Sequence, residues 1–125
     1  MTGKITETVL RDQVKTLSEK FLQRTAGQIP QLQAELARAA AAGDRDALRT
    51  FQEVVHKIHG SGAMFGFDLI SGLAGNLEEL AMSLVDGAAA TDPARIVTLA
   101  NQKRPVLEQL AQAVTAAVTR AAPST

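Results

Sequence analysis

Apolar residues recur at steps of three and four along most of this chain. That spacing places them on one face of an α-helix, whereas a half-buried β-strand needs strict alternation of apolar and polar residues. Alternating runs of β-branched residues are missing, and good helix formers such as alanine, leucine, glutamine, glutamate and arginine dominate. The pattern therefore predicts an all-α protein.

Glycines, aspartates and prolines divide the helical pattern into segments. Gly43 and Asp44 fit a C-terminal stop followed by the N-cap of the next helix. Residues 65–68 form a short turn, residues 86–87 close the next segment, and residues 91–93 supply an N-cap and a proline for the first turn of the last helix. Helices joined by connections this short pack antiparallel.

The expected fold is an up-and-down antiparallel four-helix bundle. It forms a single domain over residues 1–125, with a core at about 10–118 and a loose tail at 121–125. Pro30 lacks a backbone donor, so a kink or break is expected there, which leaves room for an extra N-terminal helical segment; Pro105 is expected to bend the last helix. The apolar stripes are Val9, Leu10, Val14, Leu17, Phe21, Leu22, Ile29, Leu32 and Leu36; then Leu48, Phe51, Val55, Ile58 and Phe65; then Leu69, Leu73, Leu77, Leu80 and Leu84; and finally Ile96, Leu99, Leu107, Leu110, Val114 and Val118.

Composition narrows the classes of function. The chain has 125 residues, 46% of them hydrophobic, enough for one core. Thirteen basic residues balance thirteen acidic ones and tryptophan and tyrosine are absent, so no nucleic-acid partner is expected. The lack of cysteine excludes disulfides and thiolate chemistry, and no stretch resembles a signal peptide or a membrane span. A cytoplasmic monomer without membrane contact is expected.

The helix predicted for residues 44–64 carries the candidate chemistry. At about 100° per residue, His56 and Gly60 lie one turn apart on its polar face, and His59 lies between the polar and apolar faces. Glycine inside a helix costs about 1 kcal/mol relative to alanine. One reason to keep it beside an exposed histidine is that the missing side chain lets another protein approach the imidazole.

The stretch from His56 to Phe67 reads His-Lys-Ile-His-Gly-Ser-Gly-Ala-Met-Phe-Gly-Phe. It resembles the signature of the histidine-containing phosphotransfer (HPt) domain family, which is His-x-Leu/Ile-Lys-Gly-Ser/Gly followed by a glycine-containing turn. The Phe-Gly-Phe ending is similar to the phosphotransfer domain of chemotaxis histidine kinases. The resemblance extends to Gly43-Asp44 before the histidine helix and to Leu77-Glu78 after it.

The resemblance implies that His56 is the phosphoacceptor. It also puts His59 at the position usually held by a lysine that neutralises phosphoryl charge. Free imidazole has a pKa near ~6.5 and is mostly neutral at pH 7, so the phosphohistidine is expected to be less stable or more dependent on pH than in the family. Lys57 points about 100° away from His56, but its long stem can compensate in part.

Glu78 is expected to orient the imidazole of His56. His56 precedes Gly66 in the turn by ten residues and Glu78 follows it by twelve, so the two lie within one helical turn of the same level. In chemotaxis kinases the similar residue hydrogen-bonds the histidine. A carboxylate that accepts from Nδ1–H leaves Nε2 unprotonated as the nucleophile.

The resemblance further implies that the partners are response-regulator receiver domains and a sensor or hybrid histidine kinase. The expected partner-binding residues are Gln52, Gly60, Ser61, Ala63 and Met64. The chain has no phosphate-cradling loop and no kinase nucleotide motif, so we expect no cofactor of its own, with Mg²⁺ supplied by the partner. It is expected to be a phosphocarrier, and whether it counts as an enzyme stays open.

Three alternatives compete with this interpretation. Glu53 and His56 have the Glu-x-x-His spacing of di-iron bundles, but both histidines lie on one helix and a second motif is lacking, so no metal site is expected. A helical adaptor or dimerisation module without phosphotransfer would show the same apolar stripes. The third alternative is that His59, and not His56, is the phosphoacceptor.

Overall fold

The structure, a computed structural model, describes residues 2–86 and 92–121, with side chains described for 7–79, 81–82 and 92–121. The described backbone forms four helices and no strand: α1 (Thr2–Ala42), α2 (Arg45–Met64), α3 (Asp68–Asp86) and α4 (Pro93–Ala121). This confirms the all-α prediction. None of the helices in these ranges is both long enough and apolar enough to cross a membrane.

The four helices pack in a closed ring. α2 lies between α1 and α3, and α4 completes the ring by contacting α3 and α1. Asn101 of α4 donates to the carbonyl of Ala40 in α1, while Gly43 just beyond α1 approaches Pro93 at the start of α4, so these two helices run antiparallel. Consecutive helices therefore alternate in direction, and the predicted up-and-down four-helix bundle is confirmed.

Local signals fix the helix boundaries. Asp44 caps α2 by accepting a hydrogen bond from the amide of Ala47 at 3.1 Å, and Asp92 accepts from the amide of Ala94 at the same distance at the start of α4. The turn between α2 and α3 closes when the amide of Phe67 donates to the carbonyl of Gly62 at 2.8 Å. The predicted boundaries at Gly43-Asp44, at the turn of residues 65–68 and at Pro93 are confirmed, but Ala121, which was assigned to the loose tail, is the last residue of α4. Gly87, Thr91 and residues 122–125 lie outside the described residues.

A kink or a break was predicted at Pro30, and the break is wrong. α1 continues through Pro30 and α4 continues through Pro105, so no separate N-terminal segment exists in the described chain. Pro30 is exposed, whereas Ile29 and Leu32 beside it are buried. Continuing the helix keeps both apolar side chains in the core, and this burial offsets the roughly 3 kcal/mol that an internal proline costs.

Two parts of the predicted apolar stripes are not in the core. α1 has 41 residues whereas α2 and α4 have 20 and 29, so the N-terminal part of α1 extends beyond its neighbours. In α3 the inward row is offset from the predicted one, Leu69 is 67% exposed, and Leu80 and Leu84 lie outside the described side chains. The uncovered residues of α1 are Val9, Leu10, Val14 and Leu17, and the buried row of α3 is Ile70, Ala74, Leu77 and Ala81.

The core supports the end of the bundle near the α2–α3 turn. The ring of Phe21 in α1 lies 5.7 Å from the ring of Phe65 and 5.7 Å from that of Phe67, and it stacks on the latter. These contacts anchor the turn to α1. α2 and α3 also approach closely at Gly62, where an added Cβ would lie 3.3 Å from the backbone nitrogen of Ser71. The turn and this close contact set the spacing of the two helices that carry the site.

Candidate functional site

His56 projects from the outer face of α2 into solvent, with its side chain 66% exposed. Its neighbours Val55 and Ile58 are buried, so the helix is held in a fixed orientation beneath it. Gly60, one turn later, is exposed, and nothing lies within 4 Å of the position that a Cβ would occupy there. The ring is therefore open on the side of Gly60, as the sequence predicted.

Glu78 of α3 contacts His56, as the turn geometry predicted. Its Oε1 lies 2.5 Å from Nδ1 of His56, and its side chain is only 12% exposed. An ionised carboxylate can only accept hydrogen bonds, so Nδ1 carries the proton and donates it to Glu78. In the neutral ring the lone pair then lies on Nε2, which is the nitrogen available to an incoming group.

His59 also makes its polar contact with α3. Its Nδ1 lies 2.8 Å from the carbonyl oxygen of Ser71 and 3.2 Å from the hydroxyl of the same residue. The Ser71 hydroxyl donates to the backbone carbonyl of His59 at 2.8 Å. The ring lies against Gly75, where a Cβ would come within 2.8 Å of Nδ1 and 2.9 Å of Cε1. The two histidines of α2 thus share one partner helix.

The remaining predicted site residues lie around this pair of histidines on α2. Gln52 and Ser61 are half-buried, and Ala63 is exposed. Met64, at the end of α2, is 71% exposed. Leu69 just beyond the turn is similarly exposed and was placed in the core by the sequence analysis. From Gly60 to the turn these residues are uncharged and end in two apolar side chains, whereas the exposed charged residues Glu53 and Lys57 flank His56 on α2.

Sequence reasoning missed Ser71 and Gly75. Serine is an ordinary residue on a helix surface, and the cost of a glycine inside a helix was weighed only for Gly60, beside His56. Their signal was positional: they are four residues apart on the helix that follows the turn, close to the level of His59. The level argument that found Glu78 would have pointed to them had it been applied to His59 as well.

A buried carboxyl lies away from these histidines. Glu35 of α1 is only 3% exposed; its Oε1 accepts from the amide of Gln31 at 3.1 Å, and its Oε2 has no partner. Burial raises the pKa of Glu35 above its ordinary value, against the smaller opposing effect of the Gln31 hydrogen bond. Across the described residues no three histidine, aspartate or glutamate side chains gather as a metal site would require.

Fold and site together define a class of protein: a helical bundle that presents a nucleophilic imidazole on its surface. The family model of the Hpt domain matches residues 16–121, so the chain belongs to the Hpt domain family. Domains of this family transfer phosphoryl groups through a histidine in phosphorelays and interact with kinases and receiver domains. Comparison with curated proteins and with solved structures gave no significant match. The finer similarity to chemotaxis kinases stays a prediction.

Proposed function

We propose that this chain is a phosphorelay intermediate in which His56 accepts a phosphoryl group from a receiver aspartyl phosphate or a histidine kinase and delivers it to a receiver aspartate. The observation that carries the proposal is the exposed imidazole whose Nδ1 is held by Glu78. That contact leaves Nε2 free to attack without losing a proton first. Cytoplasmic location is part of the same proposal, because kinases and receivers of phosphorelays act there.

The chemistry assigned to His56 is a reversible displacement at phosphorus. The Nε2 lone pair forms the new P–N bond while the P–O bond to the donor aspartate breaks, and the aspartate leaves as a carboxylate. The imidazole ring gains positive charge in this step, and the Glu78 carboxylate stabilises that charge through the Nδ1–H hydrogen bond. Mg²⁺ and the other groups that position the phosphoryl oxygens come from the partner.

The surface around His56 suits the approach of a receiver. Gly60 leaves the imidazole uncovered on one side. We assign partner binding to Gln52, Gly60, Ser61, Ala63 and Met64, and we add Leu69 because it is exposed next to the same end of the bundle. Exposed apolar side chains such as Met64 and Leu69 are typical of the part of a surface that a partner protein buries.

The experiment is phosphorylation by phosphoramidate, a small donor that needs no protein partner, followed by assay with kinases and receivers. Wild-type protein is expected to gain an acid-labile, base-stable phosphoryl group. His56→Gln should lose it, and the matched control His59→Gln should keep it. Retention by His56→Gln with loss in His59→Gln would reverse the assignment of the acceptor. No labelling of the wild type by any donor would leave a helical adaptor as the better interpretation.

A further inference from the structure

The first part of α1, residues 2–17, is an extension that the described part of the bundle does not cover. Every described side chain in it is exposed, and Leu10, Val14 and Leu17 are each more than half exposed. Helices in proteins gain most of their stability from packing of an apolar face, and contiguous exposed apolar patches mark interaction sites. The α1 extension is therefore a surface with the properties of an interface.

The apolar side chains of the α1 extension form a narrow seam. Leu10, Val14, Leu17 and Phe21 follow one another at steps of four, three and four residues, the spacing of the a and d positions in a coiled coil. At about 100° per residue these four side chains lie within an arc of roughly 60°, and Val9 lies to one side of it. A seam of this width fits one partner helix.

The bundle restricts the direction in which a partner helix can lie on the seam. The seam continues into Phe21, whose ring lies 5.7 Å from the rings of Phe65 and Phe67 in the turn between α2 and α3. A helix that ran along the seam past Phe21 would collide with this turn. A parallel copy of α1 is excluded for this reason, because its later residues would pass through the bundle. An antiparallel copy points its own bundle away.

We propose that the seam of the α1 extension binds the same seam of a second copy of this chain, in an antiparallel dimer with two-fold symmetry. In the register that pairs a positions with d positions, Leu10 packs against Val14 of the second copy and Leu17 packs against Glu7 of the second copy. The two uncovered stretches have equal length, so each covers the other and neither passes through a bundle. Two-fold dimers are also the commonest oligomers. The dimer replaces the monomer that the sequence analysis expected.

The area of the contact makes this a weak dimer that uses the ends of the bundles as well. Two helices in contact over about 20 Å bury roughly 400 Å² each, about half of the ~800 Å² per partner in a standard interface. In the proposed register the first turn of each copy reaches the level of the α2–α3 turn of the other. Met64 and Leu69 beside this turn are 71% and 67% exposed, so apolar area is available there. An interface at the small end of the range makes association strongly dependent on concentration.

The dimer leaves the phosphoacceptor site open. His56 lies ten residues before Gly66, which is about 15 Å along α2 from the turn, and its side chain is 66% exposed. Labelling of His56 by phosphoramidate is therefore expected to be equal in dimeric protein and in variants that do not dimerise. The inference does not depend on the proposed function of His56.

Sedimentation equilibrium of the full chain tests the proposal. Between about 20 μM and about 1 mM, the weight-average mass should rise from near 13.2 kDa towards twice that value. The double variant Leu10→Gln with Val14→Gln should weaken association at least about tenfold, and Glu7→Leu, which lengthens the seam, should strengthen it by about as much. The control is Asp12→Asn with Lys15→Gln, which changes exposed residues on the opposite face, keeps the net charge and should associate like the wild type.

Cysteine cross-linking tests the direction of the two helices, because the chain has no cysteine of its own. Residues 10 and 14 of different copies lie opposite each other in the antiparallel register. An equimolar mixture of the Leu10→Cys and Val14→Cys variants should therefore form mainly the mixed disulfide in air, and either variant alone should cross-link poorly.

Each result has one interpretation. A wild-type mass of one chain up to about 1 mM would overturn the inference. So would a dimer that persists in the double glutamine variant, or efficient cross-linking of the Leu10→Cys variant to itself. If the dimer forms as described but His56 takes no phosphoryl group, the inference stands and only the proposed function fails. Far-UV circular dichroism in urea checks that every variant folds, which is expected because all the substituted side chains are exposed.

Discussion

Replacing Gly43 with alanine tests how the turn between α1 and α2 fits against α4. Gly43 has a φ of +67°, a region that an alanine enters at a cost of about 1–2 kcal/mol. A Cβ here would also lie 2.7 Å from the carbonyl oxygen of Pro93, so the start of α4 would have to move. Overpacking of this kind costs about 1–3 kcal/mol. The expected loss is about 2–5 kcal/mol, a large part of the about 5–15 kcal/mol that keeps a domain folded.

Two other glycines separate the backbone cost from the cost of the contact. Gly66 has a φ of +80° but nothing within 4 Å of an added Cβ, so Gly66→Ala should lose only about 1–2 kcal/mol. Gly27 lies inside α1 with similarly open surroundings, so Gly27→Ala should gain about 0.5–1 kcal/mol. The same added Cβ is therefore expected to lower stability strongly at Gly43, to lower it less at Gly66 and to raise it at Gly27.

Urea unfolding followed by far-UV circular dichroism is the suitable assay, since the chain has no tryptophan or tyrosine for fluorescence. Stabilities are compared from the midpoints, provided that the slopes of the transitions agree. If Gly43→Ala proves as stable as Gly66→Ala, the collision with Pro93 does not occur and the packing argument is refuted. A loss in Gly27→Ala would contradict the description of α1 as one regular helix.

Three further outcomes follow from the site and the core. Glu78→Ala should slow phosphorylation of His56 by phosphoramidate about three- to tenfold, because the exposed ring loses the acceptor for its Nδ1–H. Glu78→Gln should recover part of the rate. An unchanged rate in Glu78→Ala would exclude the orienting role. Gly60→Leu should leave labelling by phosphoramidate intact but reduce transfer from His56 to a receiver at least tenfold. Equal losses in the two assays would speak against partner approach over this residue. Burial raises the pKa of the Glu35 carboxyl in the folded protein above its ordinary value of 4.5. The charged carboxylate therefore lowers the free energy of unfolding at pH values above the folded pKa. This loss of stability disappears as the pH falls below the pKa of the unfolded chain. Glu35→Met should therefore be more stable than wild type by about 1–3 kcal/mol at about pH 7, and urea midpoints measured down to about pH 4 should converge.

Periodicity predicted the orientation of α2 well, because this helix is packed along its whole length and each buried residue reports the same face. His56 and Gly60 consequently lie where the sequence placed them. Glu78 was within reach of prediction because a short turn forces residues at equal distances from it to lie side by side. These successes depend on geometry that is local to two consecutive helices.

The remaining differences between the sequence-based predictions and the structure arise at residues whose environment is set by contacts between helices. Periodicity identifies an apolar face but not the presence of a neighbour to cover it, so Leu17 and the residues before it were assigned to a core that does not extend that far. A break at Pro30 was one of the two expected outcomes because local propensity ignores the burial of Ile29 and Leu32. Gly75 escaped notice because its role consists of the space that it leaves for His59.

The confinement of the site to a helical hairpin has a consequence for how it can be rearranged. His56 and Glu78 are 22 residues apart and His59 and Ser71 only 12, so a short loop closure brings every polar contact of the site together. The contact order of these pairs is low, and they can form as soon as α2 and α3 meet. Circular permutants opened between α1 and α2 or between α3 and α4 would keep the hairpin in one piece, so new chain ends can be engineered there without dividing the chemistry.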